Sequence, residues 1–404
     1  MAPFSMSHRL IDPNEDLRKL RDEGYSVDIY GGYLIVRDVP YVNDKREVRR
    51  DGVLVAPLNL NGDILNPPSD HTIKFVGDYP CGADGQPIAA IRQGNESLRI
   101  SPRLTTQHSF SAKPPSGNYK GYYDKIRTYV AVLSGPAATI DPTVTARTYQ
   151  VIEPEDDGSP FHYIDTASAH AEIGMITQKL AVEKIAIIGV GGTGSYVLDL
   201  LAKTPVKQIH IFDGDKFSSH NAFRAPGAAS KDDLHKQLRK VEYFKEIYSR
   251  MHIGIVEHPV HIDETNIEEL RGMSCVFICI DASPEKKFIV HKLEELGVTF
   301  IDVGMGLYAK QERLGGILRV VTSTPDNRET ARARMSFASG DENNEYDKNI
   351  QIADLNALNA VLAVMRWKKM REFYFDNKHE RYNSFTIGGN LLLNEDYDQP
   401  PPTN

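Results

Sequence analysis

Lys184-Ile-Ala-Ile-Ile188 runs straight into Gly189-Val-Gly-Gly-Thr-Gly194-Ser195, and Tyr196-Val-Leu-Asp-Leu-Leu-Ala202 follows. The first piece is a short apolar run, the pattern of a strand covered on both faces. The second matches G-x-G-x-x-G, and the third continues as a helix. Glycine is needed in such a loop because a tight turn and a close backbone approach leave no room for a Cβ. The helix then opens with N–H groups that can meet an anion such as phosphate. A second strand, Ile209-His-Ile-Phe212, ends in Asp213, where an acid can hold a ribose hydroxyl. Asp215, two residues on, joins it in the candidate nucleotide-binding set. The expectation is an α/β unit that binds a nucleotide.

A dinucleotide-binding dehydrogenase carries the same loop and acid, so residues further along must separate the two readings. Asn221 and Arg224 follow in the next loop, Lys240 lies on the following helix, and Asp281 ends a later strand, Val276-Phe-Ile-Cys-Ile280. Strand carboxyl ends face the ligand crevice of an open parallel sheet, so these groups can converge above one loop. An amide, two cations and a lone carboxylate suit a nucleoside triphosphate with magnesium: cations offset phosphate charge, and a carboxylate suits a hard metal ion. ATP with Mg2+ is therefore expected rather than a nicotinamide cofactor. Plainer readings compete residue by residue. Lys231, Lys236 and Lys245 lie on or beside the segment that carries Lys240, and Asp281 could cap the helix that begins near Ser283.

Residues from about 165 to 395 resemble the ThiF/MoeB/HesA superfamily, whose adenylation domain is shared with the ubiquitin-activating enzymes. The family order is a glycine loop, a strand-end Asp, Asn-x-x-Arg, a helix Lys and a strand-end Asp, with eleven residues from Asp213 to Arg224. The resemblance implies a Rossmann-like ThiF adenylation domain with a doubly wound, mostly parallel sheet. It assigns Gly189, Gly191, Gly192, Gly194, Asp213, Asp215, Asn221, Arg224 and Lys240 to the nucleotide and Asp281 to magnesium, with Arg224, Lys240 and Asp281 as the catalytic set. It also implies a homodimer and a crossover loop over the C-terminal tail of a protein substrate. Pro40-Tyr41-Val42, Asp70-His71-Thr72 and Tyr79-Pro80-Cys81 resemble the domain that precedes ThiF-type proteins in bacterial operons for ubiquitin-like proteins and their conjugation partners.

Composition sets wider limits. A chain of 404 residues accommodates two domains, and 41% hydrophobic with 25% charged residues is ordinary for a globular protein. A net charge of -8 argues against general nucleic-acid binding. No apolar run reaches membrane-spanning length, the N-terminus lacks a signal-peptide core, and three cysteines do not make a disulfide framework. A reducing cytoplasm is the expected compartment. No Cys-x-x-Cys or His-Glu-x-x-His spacing occurs, so no structural zinc is expected.

The pattern divides the chain at residue 150. Residues 1–150 read as a smaller, β-rich α+β docking domain, with a helix near 14–23 and strands at 33–36, 53–60 and 128–133. The acidic piece 153–158 reads as a linker. Residues 151–404 read as the adenylation domain, with strands near 184, 207, 253, 275 and 298 and helices between them. Gly304-Met-Gly306 and an apolar strand at 315–321 follow, then a polar stretch, 322–348, without a repeating pattern. The helix at 354–373 presents Leu355, Leu358, Val361 and Leu362 as its sheet-facing stripe, and the tail Gln399-Pro-Pro-Pro402 reads as disordered.

Several positions depart from the family order. Ala225 and Ala282 replace a Gln and an Asn, and no arginine lies between Arg147 and Arg224 to act across a dimer interface. His162, His170 and Lys179 are the substitutes on offer for that arginine. No cysteine follows Cys279, so the thioester cysteine of the ubiquitin-activating branch has no counterpart. Ser336 and Ser339, among Arg328, Arg332 and Arg334, are the hydroxyls on which an oxygen ester could form instead. The function expected is ATP-dependent adenylation of the C-terminal glycine of a ubiquitin-like protein, for transfer to a conjugating-enzyme-like partner. Two alternatives stay open: a small-molecule or tRNA-modifying adenylase, and a non-catalytic nucleotide-binding scaffold.

Overall fold

The structure is a computed structural model and describes residues 10–94, 97–150, 159–337 and 350–397. The chain forms two compact units, Met1–Ser159 with Tyr163–Ile176, and Pro160–His162 with Thr177–Asn404. The 153–158 linker, Ser339 and the tail after 397 fall outside the described residues. No described helix is long and apolar enough to cross a membrane.

The first unit opens on α1 (Glu15–Asp22), a helix with two acids in its first turn and two bases, Lys19 and Arg21, in its last, as the helix dipole favours. Strands β1 (Ser26–Tyr30), β2 (Tyr33–Val42) and β3 (Val48–Pro57) form a meander, and the short β4 (Leu60–Asn61) and β5 (Ile64–Leu65) make a separate hairpin. Next come β6 (Thr72–Val76), β7 (Arg92–Gly94), the hairpin β8 (Leu98–Ser101) and β9 (Leu104–Thr106), and β10 (His108–Ser111). The main sheet has six strands in the order β1-β2-β3-β6-β10-β7. Residues 128–133 correct the sequence reading: they belong to α2 (Tyr122–Ile140), not to a strand. Thr-Tyr-Val-Ala-Val-Leu has β-type composition, but the buried positions Tyr122, Ile126, Tyr129, Leu133 and Ala137 recur at three and four residues, and that period decided. Helices α1 and α2 close one core with Leu34, Val36, Leu54 and Phe75, while a second cluster joins Tyr33, Ile35, Val53 and Val55 to β8, β9 and Ala169 of α3 (Thr166–His170).

The second unit is built on an eight-stranded sheet. Strands β11 (Lys184–Ile188), β12 (Gln208–Phe212), β13 (Ile255–His258) and β14 (Cys275–Ile278) are parallel, as is the start of β15 (Phe300–Lys310). Strands β16 (Arg313–Ser323), β17 (Glu380–Thr386) and β18 (Leu391–Tyr397) continue the sheet antiparallel, in the order β13-β12-β11-β14-β15-β16-β17-β18. Helix α4 (Thr193–Leu201) follows the glycine loop, α5 (Lys240–Tyr248) precedes β13, and α6 (Pro284–Glu295) links β14 to β15. The sheet separates two cores, one with Val197, Leu198, Phe244 and Trp367, the other with Ile289, Leu293, Phe300 and Met335. Five strands stand where the sequence reading sets them. A mostly parallel Rossmann-type α/β unit and a β-rich α+β unit before it are thus the architecture.

Two readings of this unit need correction. The stretch 322–348 is not without pattern, because α7 (Arg328–Arg334) lies in it and buries Ala331 in the second core. Helix α8 (Ala353–Met370) exists as expected but is rotated: it buries Asn356, Asn359, Ala360, Ala363, Val364 and Trp367, and leaves Val361 exposed. Its two asparagines find partners inside, so polarity did not keep that face in water.

Candidate functional site

The glycine loop joins β11 to α4 at the carboxyl ends of the parallel strands. Gly189 has φ +84°, a conformation that L side chains rarely adopt, and its Cα stands against the Cys279 carbonyl and Ile280. A Cβ on Gly194 would collide with the Gly189 carbonyl oxygen, whereas one on Gly191 would meet open space. The loop is therefore closed beneath and open above. Gly192 stands at the N-cap without a side-chain cap, and Ser195 donates its hydroxyl to the Gly192 carbonyl at 2.7 Å.

Asp213 leaves β12 beside this loop and is buried. Its Oδ2 accepts from the Val190 N–H at 3.0 Å, and its Oδ1 accepts from the Asp215 N–H at 2.9 Å. Lys240, the first residue of α5, brings its Nζ to 3.3 Å from Asp213 and 2.7 Å from Asp215. It is 7% exposed, so it is no solvated helix charge of the kind Lys236 represents. Hydrogen bonding from Lys240 holds the Asp215 carboxyl below its ordinary range.

Asn221 sits in a single turn of helix, Ser219–Ala222, and is 1% exposed. Its Oδ1 accepts from the Ser218 N–H at 3.0 Å, which leaves the buried Nδ2 without a partner. Arg224 follows with a buried Nε that also lacks one. Phe223 between them is 87% exposed. Asp281 lies three residues beyond the end of β14, in register with β11, on the same rim of strand ends. It does not cap α6: Ser283 does, accepting from the Lys286 N–H at 3.2 Å. Asp213, Asp215 and Lys240 are thus in contact beside the loop of Gly189, Gly191, Gly192 and Gly194, and the Arg224 backbone is tied to the helix of that loop through Asn356. Asn221 stands three residues before Arg224, and Asp281 follows the carboxyl end of β14. Among the described residues no three His, Cys, Asp or Glu side chains form a cluster that could hold a metal ion.

Other candidates are not brought to this rim. Lys179 donates to the Glu372 carbonyl at 2.9 Å. Arg328 donates to the Val298 carbonyl at 2.7 Å, Arg332 pairs with Glu294 at 2.9 Å, and Arg334 pairs with Glu395 at 2.7 Å. These arginines tie α7 to its neighbours: Arg328 also donates to the Ser323 hydroxyl at 3.0 Å, and Ser336 accepts from Arg319 at 3.0 Å. Burial pushes the thiols of Cys81 and Cys279 up and that of Cys275 to about 12, against the lowered values that reactive cysteines show.

Two groups escaped the sequence reading. Asn356 on α8 bonds both Thr193 and the Arg224 carbonyl. Lys286 and Asp302, 2% and 0% exposed, form an ion pair of 2.6 Å behind β14. No motif spacing announces either, because their partners are distant in the chain.

Residues 15–166 match the domain of unknown function DUF6791. Over 133 residues the chain is 29% identical to "Adenylyltransferase and sulfurtransferase UBA4" of Saccharomyces cerevisiae, covering 32% of this chain and 29% of that protein. It is 28% identical over 140 residues to "Ubiquitin-like modifier-activating enzyme 5" of Mus musculus, covering 32% and 34%. The chain thus spans about a third of the length of these relatives. A solved structure of E. coli MccB with ATP aligns at 18% identity with a TM-score of 0.41, over 57% of this chain and 68% of that one. Residues 166–388, more than half of the chain, match the model of the ThiF family, and the protein belongs to that family.

Proposed function

We propose that this protein adenylates a carboxylate with ATP, and that the carboxylate is the C-terminal glycine of a ubiquitin-like protein. The observation that carries the reading is the set of unspent donors around the glycine loop. Asn221 Nδ2 and Arg224 Nε are buried without acceptors, beside a loop with open space above Gly191. Buried donors left unmet are costly, and an acceptor-rich triphosphate would satisfy them. The names of the yeast and mouse relatives support the adenylating and ubiquitin-like halves of the reading in turn.

In this reading Asp213 holds the ribose, and the loop N–H groups, Asn221 and Lys240 hold the phosphates. Lys240 exchanges part of its contact with Asp213 and Asp215 for phosphate oxygens. A carboxylate oxygen of the substrate attacks the α-phosphorus, and the bond to the bridging oxygen breaks. Pyrophosphate leaves with the electron pair. Charge grows on the phosphate oxygens during this step, and Arg224 and Lys240 are the fixed cations that meet it. A single exposed carboxylate, Asp281, suits magnesium, which keeps several waters and takes its other ligands from the nucleotide; bound there, it would offset phosphate charge. A nucleophile of a conjugating-enzyme-like partner then attacks the acyl carbon of the adenylate and AMP leaves; burial pushes all three thiols of this chain up, which favours none of them as an intermediate acceptor. A homodimer belongs to the same proposal.

The test is exchange of labelled pyrophosphate into ATP, with and without a ubiquitin-like protein ending in glycine. Exchange that depends on that protein supports the proposal. Exchange driven by a small carboxylic acid, or tight NAD binding with no ATP binding, would overturn it.

A further inference from the structure

Helix α8 buries an amide where a helix on a sheet would ordinarily bury a methyl group. Asn356 is 0% exposed, and a polar side chain so placed is costly unless its atoms are met. Its Oδ1 accepts from the Thr193 hydroxyl at 3.0 Å, and its Nδ2 donates to the Arg224 carbonyl oxygen at 3.1 Å. The amide also lies on Gly192, where any Cβ would collide with it. One side chain therefore bonds the first residue of the glycine-loop helix and the backbone of Arg224, which are 163 and 132 residues away in sequence. The Arg224 peptide is held from its other side as well, since its N–H donates to the Asn221 carbonyl at 3.1 Å. Asn359, one turn further along α8, donates in the same way to the Gly304 carbonyl of β15 at 2.9 Å.

We propose that Asn356 is a positioning residue that sets Arg224 in register with the glycine loop. The inference rests on the adenylation reading for its purpose, though not for its geometry. A guanidinium acts on a transferring group only within a narrow range of placement, and a misplacement of about 1 Å can cost roughly a hundredfold in rate. Arg224 sits on a loop, and its backbone has no strand to hold it. A rigid helix that reaches both loops supplies the reference frame which the loops lack.

Four full-length proteins test this: wild type, Asn356→Leu, Arg224→Ala and the double variant, with MgATP as the probe in calorimetry. Leucine keeps the volume and removes both bonds. If Asn356 acts through Arg224, N356L weakens MgATP about tenfold, and the double variant binds within about threefold of R224A alone. Independent losses that multiply, or an unchanged N356L, overturn the inference. Hydrogen–deuterium exchange decides the geometry whether or not ATP binds. N356L should open residues 191–195 and 218–227 together and leave the parallel strands protected, and Thr193→Val should open the first segment alone. A uniform loss of protection in N356L would reduce Asn356 to a packing residue and overturn the proposal. Absence of MgATP binding by wild type, with the local opening intact, would sink the adenylation reading and leave the positioning role standing.

Discussion

The two halves of the eight-stranded sheet solve different problems with one hydrogen-bond ladder. Its parallel half uses strands of four or five residues, and every position of β14 is buried. Its antiparallel half uses strands of up to eleven residues and ends in β18, whose Leu391, Leu392 and Leu393 are 50%, 47% and 41% exposed. Parallel strands must be joined by crossovers, so each delivers its carboxyl end to the same rim and a loop to carry chemistry there. Here β15 returns to β16, and β17 to β18, through short turns, while β16 reaches β17 by way of α7 and α8; antiparallel neighbours of this kind offer a face instead. Gly304, Gly306 and Tyr308 of β15 lie beside Arg319, Ile317 and Gly315 of β16 on one such face. In one half function concentrates at points; in the other it can only be spread over a surface.

That contrast is easiest to break at the points. Arg224→Ala should lower pyrophosphate exchange by about a thousandfold, roughly 4 kcal/mol of transition-state stabilisation, with an unchanged circular dichroism spectrum. A loss below tenfold would remove Arg224 from the chemistry. Gly194→Ala should come next, at roughly 3 kcal/mol of stability in a urea titration, because the added methyl group must displace the Gly189 carbonyl. A wild-type midpoint would mean that the loop relaxes more easily than its contacts indicate.

A smaller effect lies along the edge of the parallel half. His210 Nδ1 and His258 Nε2 are 2.9 Å apart, and Glu269 reaches the far side of His258 at 3.1 Å. Burial, helped by His258, lowers His210 to about 4, and burial lowers His258 as well. Both folded values lie below the unfolded value near 6.5, so protons bind the unfolded chain more tightly. Their contribution is therefore fully present above pH 6.5 and is lost as the pH falls from there toward 4. The slope is at most about 1.4 kcal/mol per pH unit for each proton, and solvent screening reduces it. Urea midpoints measured across this range should fall for wild type and fall less for His210→Gln. A parallel decline in both would take the pair out of the account. Least affected should be the surface half: Leu392→Lys is expected to move stability by no more than about 0.5 kcal/mol and to leave exchange unchanged. A large loss of exchange there would mean that the exposed face takes part in substrate capture.

What could be read without a structure was whatever is encoded locally. The glycine loop, the acid that ends β12, Asn-x-x-Arg and the strand that precedes Asp281 are each defined within a few residues, because turn geometry and strand burial act over that range. Their order along the chain was enough to name the fold of the second unit and to nominate candidate site residues. Local pattern misled where it disagreed with packing, through composition in one place and through an apolar stripe in another. The stretch 128–133 has the residues of a strand and the spacing of a helix, and the apolar stripe of α8 is not the face that it buries. Tertiary structure alone decided that Lys240 rather than its neighbouring lysines meets Asp213, that Arg328, Arg332 and Arg334 are spent on α7, and that Asn356 joins two loops. Each of these depends on which groups a fold brings within about 3 Å of one another, across separations that no local pattern records.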